Sequence, residues 1–391
     1  MKNNHDFIIE CGLLEEYAGP GGNVAIPDSV TEIIGHAFAD CTSLTGVTLP
    51  KGITDIGSMA FRGCTGLTSM TFLGRVTEIG DGAFQGCTGL ASMTIPEGVT
   101  EIKSYTFAGC TALTRVTIPD SLTKIGTGAF QDCTGLISMT IPDGVTEIRS
   151  YTFAGCTALT HVIIPEGITE IGGRAFTNCM GLTSITIPKS VTEIGEMAFL
   201  GCMSLTSVTI PESVVRIEAS AFAGCTGLTS VTIPESVVRI EALAFAGCAG
   251  LTSVTIPESV TEIGKLAFSS CKGLTSVTIP EGITEIKSST FGGCTGLVSM
   301  TIPESVVKIE AMAFAGCTGL TSISIPEGVT EIEEMAFFNC TGLTSVTIPE
   351  SVTEIGDEVF QGCENLTIHT PAGSVAEKYA KKNRIKFAVT E

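Results

Sequence analysis

The sequence predicts an α/β solenoid that is dominated by β-structure and built from fifteen 23-residue units. Cysteines recur every 23 residues from Cys41 to Cys363 without an insertion or deletion, which accounts for fifteen of the sixteen cysteines. Each unit also repeats eight apolar positions, a regularity that only a stacked array requires. In the unit that begins at Leu251 these positions are Leu251, Val254, Ile256, Val260, Ile263, Ala267, Phe268 and Cys271.

Each unit is predicted to contain two extended segments and one short helical turn. The segment around Val254 and Ile256 alternates, is β-branched and stops at Pro257, which is typical of a short strand in a parallel sheet on one face. A second extended stretch surrounds Val260–Ile263, and a short helical turn carries Ala267 and Phe268 on another face. The eighteenth position is Phe in every unit, so we expect a continuous aromatic spine.

The ends of the array differ from the repeats and predict a three-part organisation. Residues 1–20 are expected to form an N-terminal cap hairpin, residues 21–365 the fifteen units, and residues 366–391 a C-terminal cap of strand, short helix and strand. Ser374 and Glu377 have the spacing of a capping box for that helix. The cluster of Lys and Arg in this last segment is expected to be solvated.

Charge and hydropathy exclude several classes of function. The net charge of −20 repels phosphate backbones, so we expect no nucleic-acid partner. No run of 18 apolar residues is present, so we expect no membrane insertion. Residues 1–10 lack the apolar core of a secretory signal, and the sequence leaves open how the protein is exported or anchored.

The repeat resembles a known family. The unit LxxVxIPxxVxxIGxxAFxxC, the opening FIIECGLLEEYAGPGGNVAIP and the ending PAGSVAEKYAKKNRIKF are similar to the BspA-like, or TpLRR-type, leucine-rich repeat and its flanking segments. The resemblance implies a leucine-rich-repeat array at an extracellular or cell-surface location, with a role in adhesion to host or neighbouring cells. The family has no general ligand motif, so the resemblance assigns no binding residue.

The residue types that carry chemistry predict no enzyme, cofactor or metal site. Cysteines one coil apart are about 4.8 Å from each other with parallel Cβ directions, whereas disulfides need Cβ atoms about 3.8 Å apart. We therefore expect a row of buried free thiols, with the role of Cys11 left open. The four histidines are scattered, and no hydrolase, nucleotide-binding or zinc motif is present.

Outward positions three and five of each unit are mostly Ser and Thr, and one stretch departs from this pattern. The uniform face is either a soluble β-favouring surface or a binding platform. A mixed charged and apolar patch in three consecutive units is a candidate contact site, and neutral drift is the alternative. The patch residues are Arg115, Ile137, His161 and Ile163.

Acidic residues form a second candidate site. The eighth position is Glu in seven successive units, and such a row either attracts a basic partner or cations or is a solvated edge. Charges two residues apart at positions twelve and fourteen, such as Arg216 and Glu218, are expected to pair within their own unit. The row consists of Glu212, Glu235, Glu258, Glu281, Glu304, Glu327 and Glu350.

Three functions fit these observations. The leading hypothesis is a non-enzymatic recognition or adhesion protein, secreted or on a cell surface, whose solenoid binds a protein or glycan partner. The alternative is a structural spacer or matrix component without a specific ligand. A remote alternative is an ice-binding face made of the regular Ser and Thr rows. The sequence leaves the oligomeric state open, with a monomer plausible.

Overall fold

A computed structural model describes residues 6–390 and confirms a leucine-rich-repeat solenoid of parallel sheets. Residues 1–5 of the predicted N-terminal cap and Glu391 lie outside the described residues. The chain divides into two compact units, Met1–Glu193 (unit 1) and Ile194–Glu391 (unit 2). The three-part organisation into caps and a repeat array remains a prediction.

One coil of 23 residues has three sides, and we name each coil by its first residue. In the Leu251 coil the first side, the strand face, is the strand Ser253–Thr255, which ends before Pro257. The second side is the two-residue strand Glu262–Ile263. The third, the turn side, is a run of hydrogen-bonded turns in which Ala267 N–H donates to the Gly264 carbonyl and Cys271 N–H to the Phe268 carbonyl, at 3.2 Å each.

The turn side does not form a continuous helix because two positions per coil have left-handed backbone angles. These are the sixteenth and the twentieth positions, represented in the Leu251 coil by Leu266 (φ 59°) and Ser270 (φ 60°). Their N–H groups point along the array instead, and Leu266 N–H donates to the Ser288 carbonyl of the next coil at 3.0 Å. Turns therefore connect neighbouring coils as strands do on the other two sides.

Unit 1 begins with an antiparallel hairpin of β1 (Phe7–Glu10) and β2 (Leu13–Tyr17), and β2 continues in parallel into the second side. On the strand face lie β3 (Gly22–Ala25), β5 (Leu44–Leu49), β7 (Ser69–Phe72), β9 (Ser92–Thr94), β11 (Arg115–Thr117), β13 (Ser138–Thr140) and β15 (His161–Ile163). On the second side lie β4 (Glu32–Ile33), β6 (Asp55–Ile56), β8 (Glu78–Ile79), β10 (Glu101–Ile102), β12 (Lys124–Ile125), β14 (Glu147–Ile148) and β16 (Glu170–Ile171).

Strand β17 (Glu193–Ile194) falls at the division. Unit 2 has strands on the same two sides, although the Leu182 coil at the division and the Leu297 coil have none on the strand face. Its strand face carries β18 (Ser207–Thr209), β20 (Ser230–Thr232), β22 (Ser253–Thr255), β24 (Ser276–Thr278), β27 (Ser322–Ser324) and β29 (Ser345–Thr347). Its second side carries β19 (Arg216–Ile217), β21 (Arg239–Ile240), β23 (Glu262–Ile263), β25 (Glu285–Ile286), β26 (Lys308–Ile309), β28 (Glu331–Ile332) and β30 (Glu354–Ile355). The unit closes with β31 (Thr367–Pro371), α1 (Val375–Asn383) and β32 (Lys386–Thr390).

The core of each unit is a stack of identical side chains. Successive Phe rings lie parallel, with centroids 4.8–5.7 Å apart in unit 1 and 5.1–5.8 Å apart in unit 2. At the start Tyr17 stacks on Phe38 at 5.0 Å, and at the end Tyr379 of α1 meets Phe360 edge-on at 6.1 Å. Ser374 caps α1 by accepting the Glu377 N–H at 3.0 Å. The terminal elements thus cover the ends of the aromatic stack, which would otherwise face water.

Candidate functional site

The strand face presents the small polar side chains that the alternation predicts. In β13, for example, Ser138 and Thr140 are exposed while Met139 between them is 3% exposed. The same exposed–buried–exposed pattern holds in β9, β18, β20, β22 and β24. Any residue that differs from Ser or Thr at the outward positions is therefore displayed directly to solvent.

The candidate patch of unit 1 lies on this face. Arg115 is exposed in β11, and Ile137, just before β13, is 52% exposed. Both line an open groove of about 640 Å³ between the Leu113 and Leu136 coils. The structure therefore places these two residues together, as their spacing predicts.

The other two patch residues lie on the next coil and do not line the groove. His161 and Ile163 are exposed in β15, where they pair in parallel register with Ser138 and Thr140 of β13. Ser138 and Thr140 themselves line the groove, so β13 separates it from His161 and Ile163. The four residues form one neighbourhood in which only Arg115 and Ile137 share a concave surface.

The backbone ladder is interrupted at the groove, as it also is between β7 and β9 and between β20 and β22. Strand β11 pairs with β9 and β13 with β15, but within residues 6–390 no ladder joins β11 to β13. In the neighbouring coils Ile95 N–H donates to the Thr117 carbonyl at 2.9 Å and Ile141 N–H to the Ile163 carbonyl at 3.0 Å. The equivalent N–H of Ile118 meets no acceptor among the described residues.

The interruption also exposes core residues. Val116 and Ile118 are half-buried and line the groove, whereas the equivalents Met93 and Ile95 in the previous coil are 4% and 2% exposed. The groove therefore combines a cation, apolar side chains and unpaired backbone groups. These are the components with which protein surfaces bind an extended segment of a partner.

A second departure on the strand face of unit 1 was missed by the sequence interpretation. Leu73 replaces the usual Pro and is 55% exposed, and β7, which precedes it, does not pair with β9. The sequence itself shows this departure, because the Leu67 coil has the residues FLG where most coils have IPE. Ladder interruptions thus occur at more than one place, and the lining residues distinguish the groove at Arg115.

The acidic row lies along unit 2. All seven glutamates are exposed, and within residues 6–390 none of them forms an ion pair. The Glu258 carboxylate accepts the Glu281 N–H at 3.3 Å, a contact between neighbouring coils. The row is thus a line of unneutralised negative charge. Among the described residues, no further group of another chemical type lies beside it to indicate which ligand it would bind.

Ion pairs on the second side mostly join neighbouring coils, which corrects the expectation of pairs within one coil. Among the pairs of residues 6–390, Arg149–Glu147 (2.6 Å) and Arg216–Glu218 (3.7 Å) follow the predicted pattern. Glu262 instead binds both Arg239 and Lys287 from the coils on either side. The reason is distance, because adjacent strands are about 4.8 Å apart whereas residues two apart on one strand are separated by about 6.7 Å.

The repeated cysteines are free and, apart from Cys41, buried. The buried thiols donate hydrogen bonds to Phe carbonyls of the preceding coil. Cys64 Sγ donates to the Phe38 carbonyl at 3.0 Å, and Cys225 Sγ donates to the Phe199 carbonyl at 3.2 Å. Burial raises the pKa of the Cys64 and Cys225 thiols to about 12. Among residues 6–390 no group of three His, Cys, Asp or Glu side chains is arranged to hold a metal ion.

Comparisons with known proteins agree with this architecture. The family model described as BspA type leucine rich repeat region matches residues 20–137, 123–252 and 238–367. A leucine-rich repeat protein from Bacteroides ovatus is 29% identical, with 100% of this chain and 97% of that chain covered and a TM-score of 0.79. No curated protein matches the sequence.

Two further structures are similar. A leucine rich cell surface protein from Faecalibacterium prausnitzii is 29% identical, with 96% of this chain and 94% of that chain covered and a TM-score of 0.52. The pneumococcal vaccine antigen PcpA is 19% identical over 100% of this chain and 98% of its own, with a TM-score of 0.59, and shares the fold. No described helix is long and apolar enough to cross a membrane.

The leucine-rich-repeat solenoid is a fold that typically acts in protein interaction rather than catalysis. The family model covers nearly all of residues 20–367, and its repeat is the one that forms each coil described above. The chain belongs to the BspA type leucine-rich repeat family.

Proposed function

We propose that this protein is a recognition and adhesion protein, on a bacterial cell surface or secreted, and that it binds a partner through the groove between β11 and β13. The observation that carries the proposal is a coincidence of two independent features. Arg115 and Ile137 depart from the Ser and Thr of the surrounding face, and they do so where the ladder opens and exposes Val116 and Ile118.

The chemistry of the groove favours a protein partner over a glycan. Unpaired backbone groups such as Ile118 N–H can bond to the main chain of an extended peptide, as in β-strand addition. Ile137 and Ile118 supply apolar contact, and Arg115 supplies a charged hydrogen-bonding group of the kind enriched at interface hot spots. The Faecalibacterium relative, described as a cell surface protein, supports the proposed location.

The test is a binding screen of the intact chain against an array of extracellular proteins and glycans, with and without calcium. A protein hit is followed by the double variant Arg115→Ser with Ile137→Thr, which restores the usual residues of the repeat. We expect this variant to lose at least about tenfold in affinity, because truncation of a hot-spot residue costs about 2 kcal/mol or more and tenfold corresponds to about 1.4 kcal/mol.

The matched control carries the opposite change in unit 2, with Ser253→Arg and Thr275→Ile at the same two positions of two neighbouring coils. It should bind like the original protein, since the groove is untouched. An unchanged affinity in the Arg115 and Ile137 variant would show that the groove is not the contact site. A glycan hit whose affinity falls in the Arg115 and Ile137 variant would reassign the partner class of the groove, and no hit at all would favour the spacer role.

A further inference from the structure

The turn side of unit 1 displays tyrosines at a backbone position that disfavours them. Tyr105 (φ 56°) and Tyr151 (φ 61°) occupy the sixteenth position of their coils, in the left-handed region where bulky residues are strained. Glycine occupies the same position in the coil before Tyr105 (Gly82) and in the coil between the two tyrosines (Gly128), where it fits this backbone without steric strain. Most other coils also carry a side chain here, such as Met59 or Leu266, so the tyrosines are distinguished by their aromatic and hydroxyl groups and not by the backbone.

The coils that carry these tyrosines alternate with coils that make room for them. The segment SYTFAGC occurs at 104–110 and again at 150–156, a 46-residue period superimposed on the 23-residue repeat. In the intervening coil a Cβ on Gly128 would lie 2.5 Å from Tyr105 Cε1, so the ring edge extends over the space that a side chain would fill. Tyr105 and Gly128 thus form a matched pair, with the tyrosine 41% exposed.

A polar side chain lies beside the Tyr105 ring. The Oε1 atom of Gln131 lies 3.2 Å from the same point above Gly128, which places this amide beside the ring. Gln131 donates its amide N–H to the exposed Asp132 carboxylate at 3.3 Å, and this leaves its oxygen to accept from a ligand. Tyr151 lies one coil beyond Gln131, and Arg174 of the following coil lies 5.5 Å over the Tyr151 ring and donates a hydrogen bond to its hydroxyl.

We propose that Tyr105, Gln131, Asp132, Tyr151 and Arg174 form a binding site for a neutral oligosaccharide. A pyranose ring has an apolar C–H face that packs on an aromatic ring and a rim of hydroxyls that both donate and accept hydrogen bonds. Tyr105 supplies the aromatic ring, Gln131 and Asp132 supply acceptors, and Arg174 and the Tyr151 hydroxyl supply donors. The net charge of −20 favours neutral over acidic sugars.

The test is a titration of the intact chain with cellopentaose, laminaripentaose, mannopentaose and galactopentaose, followed by tyrosine absorbance and fluorescence and by calorimetry. The chain has no Trp and four Tyr, and Tyr17 and Tyr379 are only 6% and 8% exposed, so a spectral change reports on Tyr105 and Tyr151. We expect at least one sugar to bind and to change the tyrosine signal. Absence of binding by all four at millimolar concentration overturns the proposal.

Variants locate the site. Tyr105→Gly should lower the affinity at least tenfold without lowering the melting temperature, because glycine suits the backbone there. Gly128→Ala should also weaken binding although Tyr105 is still present, since the added Cβ displaces the ring. Met59→Gly, at the same position of a coil outside the cluster, is the control and should bind as the original protein does.

Two outcomes contradict the assignment. Sugar binding that survives Tyr105→Gly would place the site elsewhere, and preferential binding of a proline-rich peptide in a competition arm would make the tyrosines a peptide platform instead. The site is independent of the strand face, so Arg115→Ser with Ile137→Thr should leave sugar affinity unchanged. Failure of the groove proposal therefore leaves this one intact, and the reverse also holds.

Discussion

Units 1 and 2 have nearly the same interior and different surfaces. Stacked Phe rings, buried thiols and the same three sides recur in both, with ring spacings that overlap almost completely. The strand face of unit 1 carries Arg115, Ile137 and Leu73, whereas that of unit 2 has mostly Ser and Thr and one exposed apolar departure, Val298. Unit 2 instead has the acidic row and exposed valines such as Val215 on its second side.

This difference indicates that the interior positions are constrained by the fold and that the outward positions are free to vary for other reasons. A repeat interior tolerates little change, because every coil is packed against its neighbours. Outward positions contribute little to that packing, so departures there reflect either drift or contact with a partner. The two units can therefore be compared first in the stability of their interiors and then in the function of their surfaces.

The largest effect should come from alkaline pH acting on the shared thiols. Burial raises the pKa of Cys133 in unit 1 and Cys225 in unit 2 from the ordinary value of 9.0 to about 12. Above pH 9 the unfolded thiols ionise while the folded ones stay neutral, so this stabilisation is complete below pH 9 and is lost towards pH 12. Denaturant unfolding should show a decline of about 1.4 kcal/mol per pH unit for each thiol.

The control for this prediction removes single thiols. Cys133→Ala and Cys225→Ala should each reduce the slope of unfolding free energy against pH by one thiol's share. Equal reductions support equivalent interiors. A slope that neither variant changes would mean that other groups cause the alkaline loss.

The next effect is truncation of the aromatic stack at matched sites. Phe130 lies 5.5 and 5.7 Å from its two neighbours in unit 1, and Phe268 lies 5.4 and 5.8 Å from its own in unit 2. Because both rings are fully buried, Phe130→Ala and Phe268→Ala should each cost about 3–5 kcal/mol of unfolding free energy. A large difference between the two losses would contradict the equivalence of the interiors.

A smaller effect on the unfolding free energy should distinguish the ion-paired glutamates of unit 2 from those of the acidic row. Glu262 binds Arg239 and Lys287, and these contacts hold the pKa of its carboxyl below the ordinary value. Glu262→Gln should therefore cost less than about 1 kcal/mol, and the cost should shrink in high salt.

The matched variant is Glu235→Gln in the acidic row. Glu235 has no cationic partner among the described residues and faces like charges one coil away, so its removal should be neutral or slightly stabilising. A loss as large as that of Glu262→Gln, measured by the same denaturant unfolding, would mean that the row has partners of its own.

Much of the fold follows directly from the sequence, because the period, the stop at Pro257 and the invariant Phe each correspond to one local structure. The partners of the charges do not follow, since within-coil and cross-coil pairing differ by only about 2 Å of separation. The left-handed angle at position sixteen leaves no trace either, as Met, Leu, Tyr and Gly all occur there.

The candidate groove shows the same division. The patch at Arg115 and Ile137 is visible as a departure from the repeat, and its location on the strand face follows from the period of two. The opening of the ladder is not visible, because it depends on how two backbones hydrogen-bond and not on residue type. The tyrosine pair is visible in the sequence as a segment, SYTFAGC, that recurs after 46 residues, but only a comparison of alternate coils shows it.

The most direct test of the central claim is amide hydrogen exchange at Ile95, Ile118 and Ile141, measured without and then with the partner found in the screen. These residues occupy the same position in three successive coils, and of the three only Ile118 has an N–H without an acceptor in the described part of the chain. We predict fast exchange at Ile118, slow exchange at the other two, and protection of Ile118 when the partner binds. Slow exchange at Ile118 in the free protein, or protection confined to unit 2 in the complex, would contradict the groove as the recognition site.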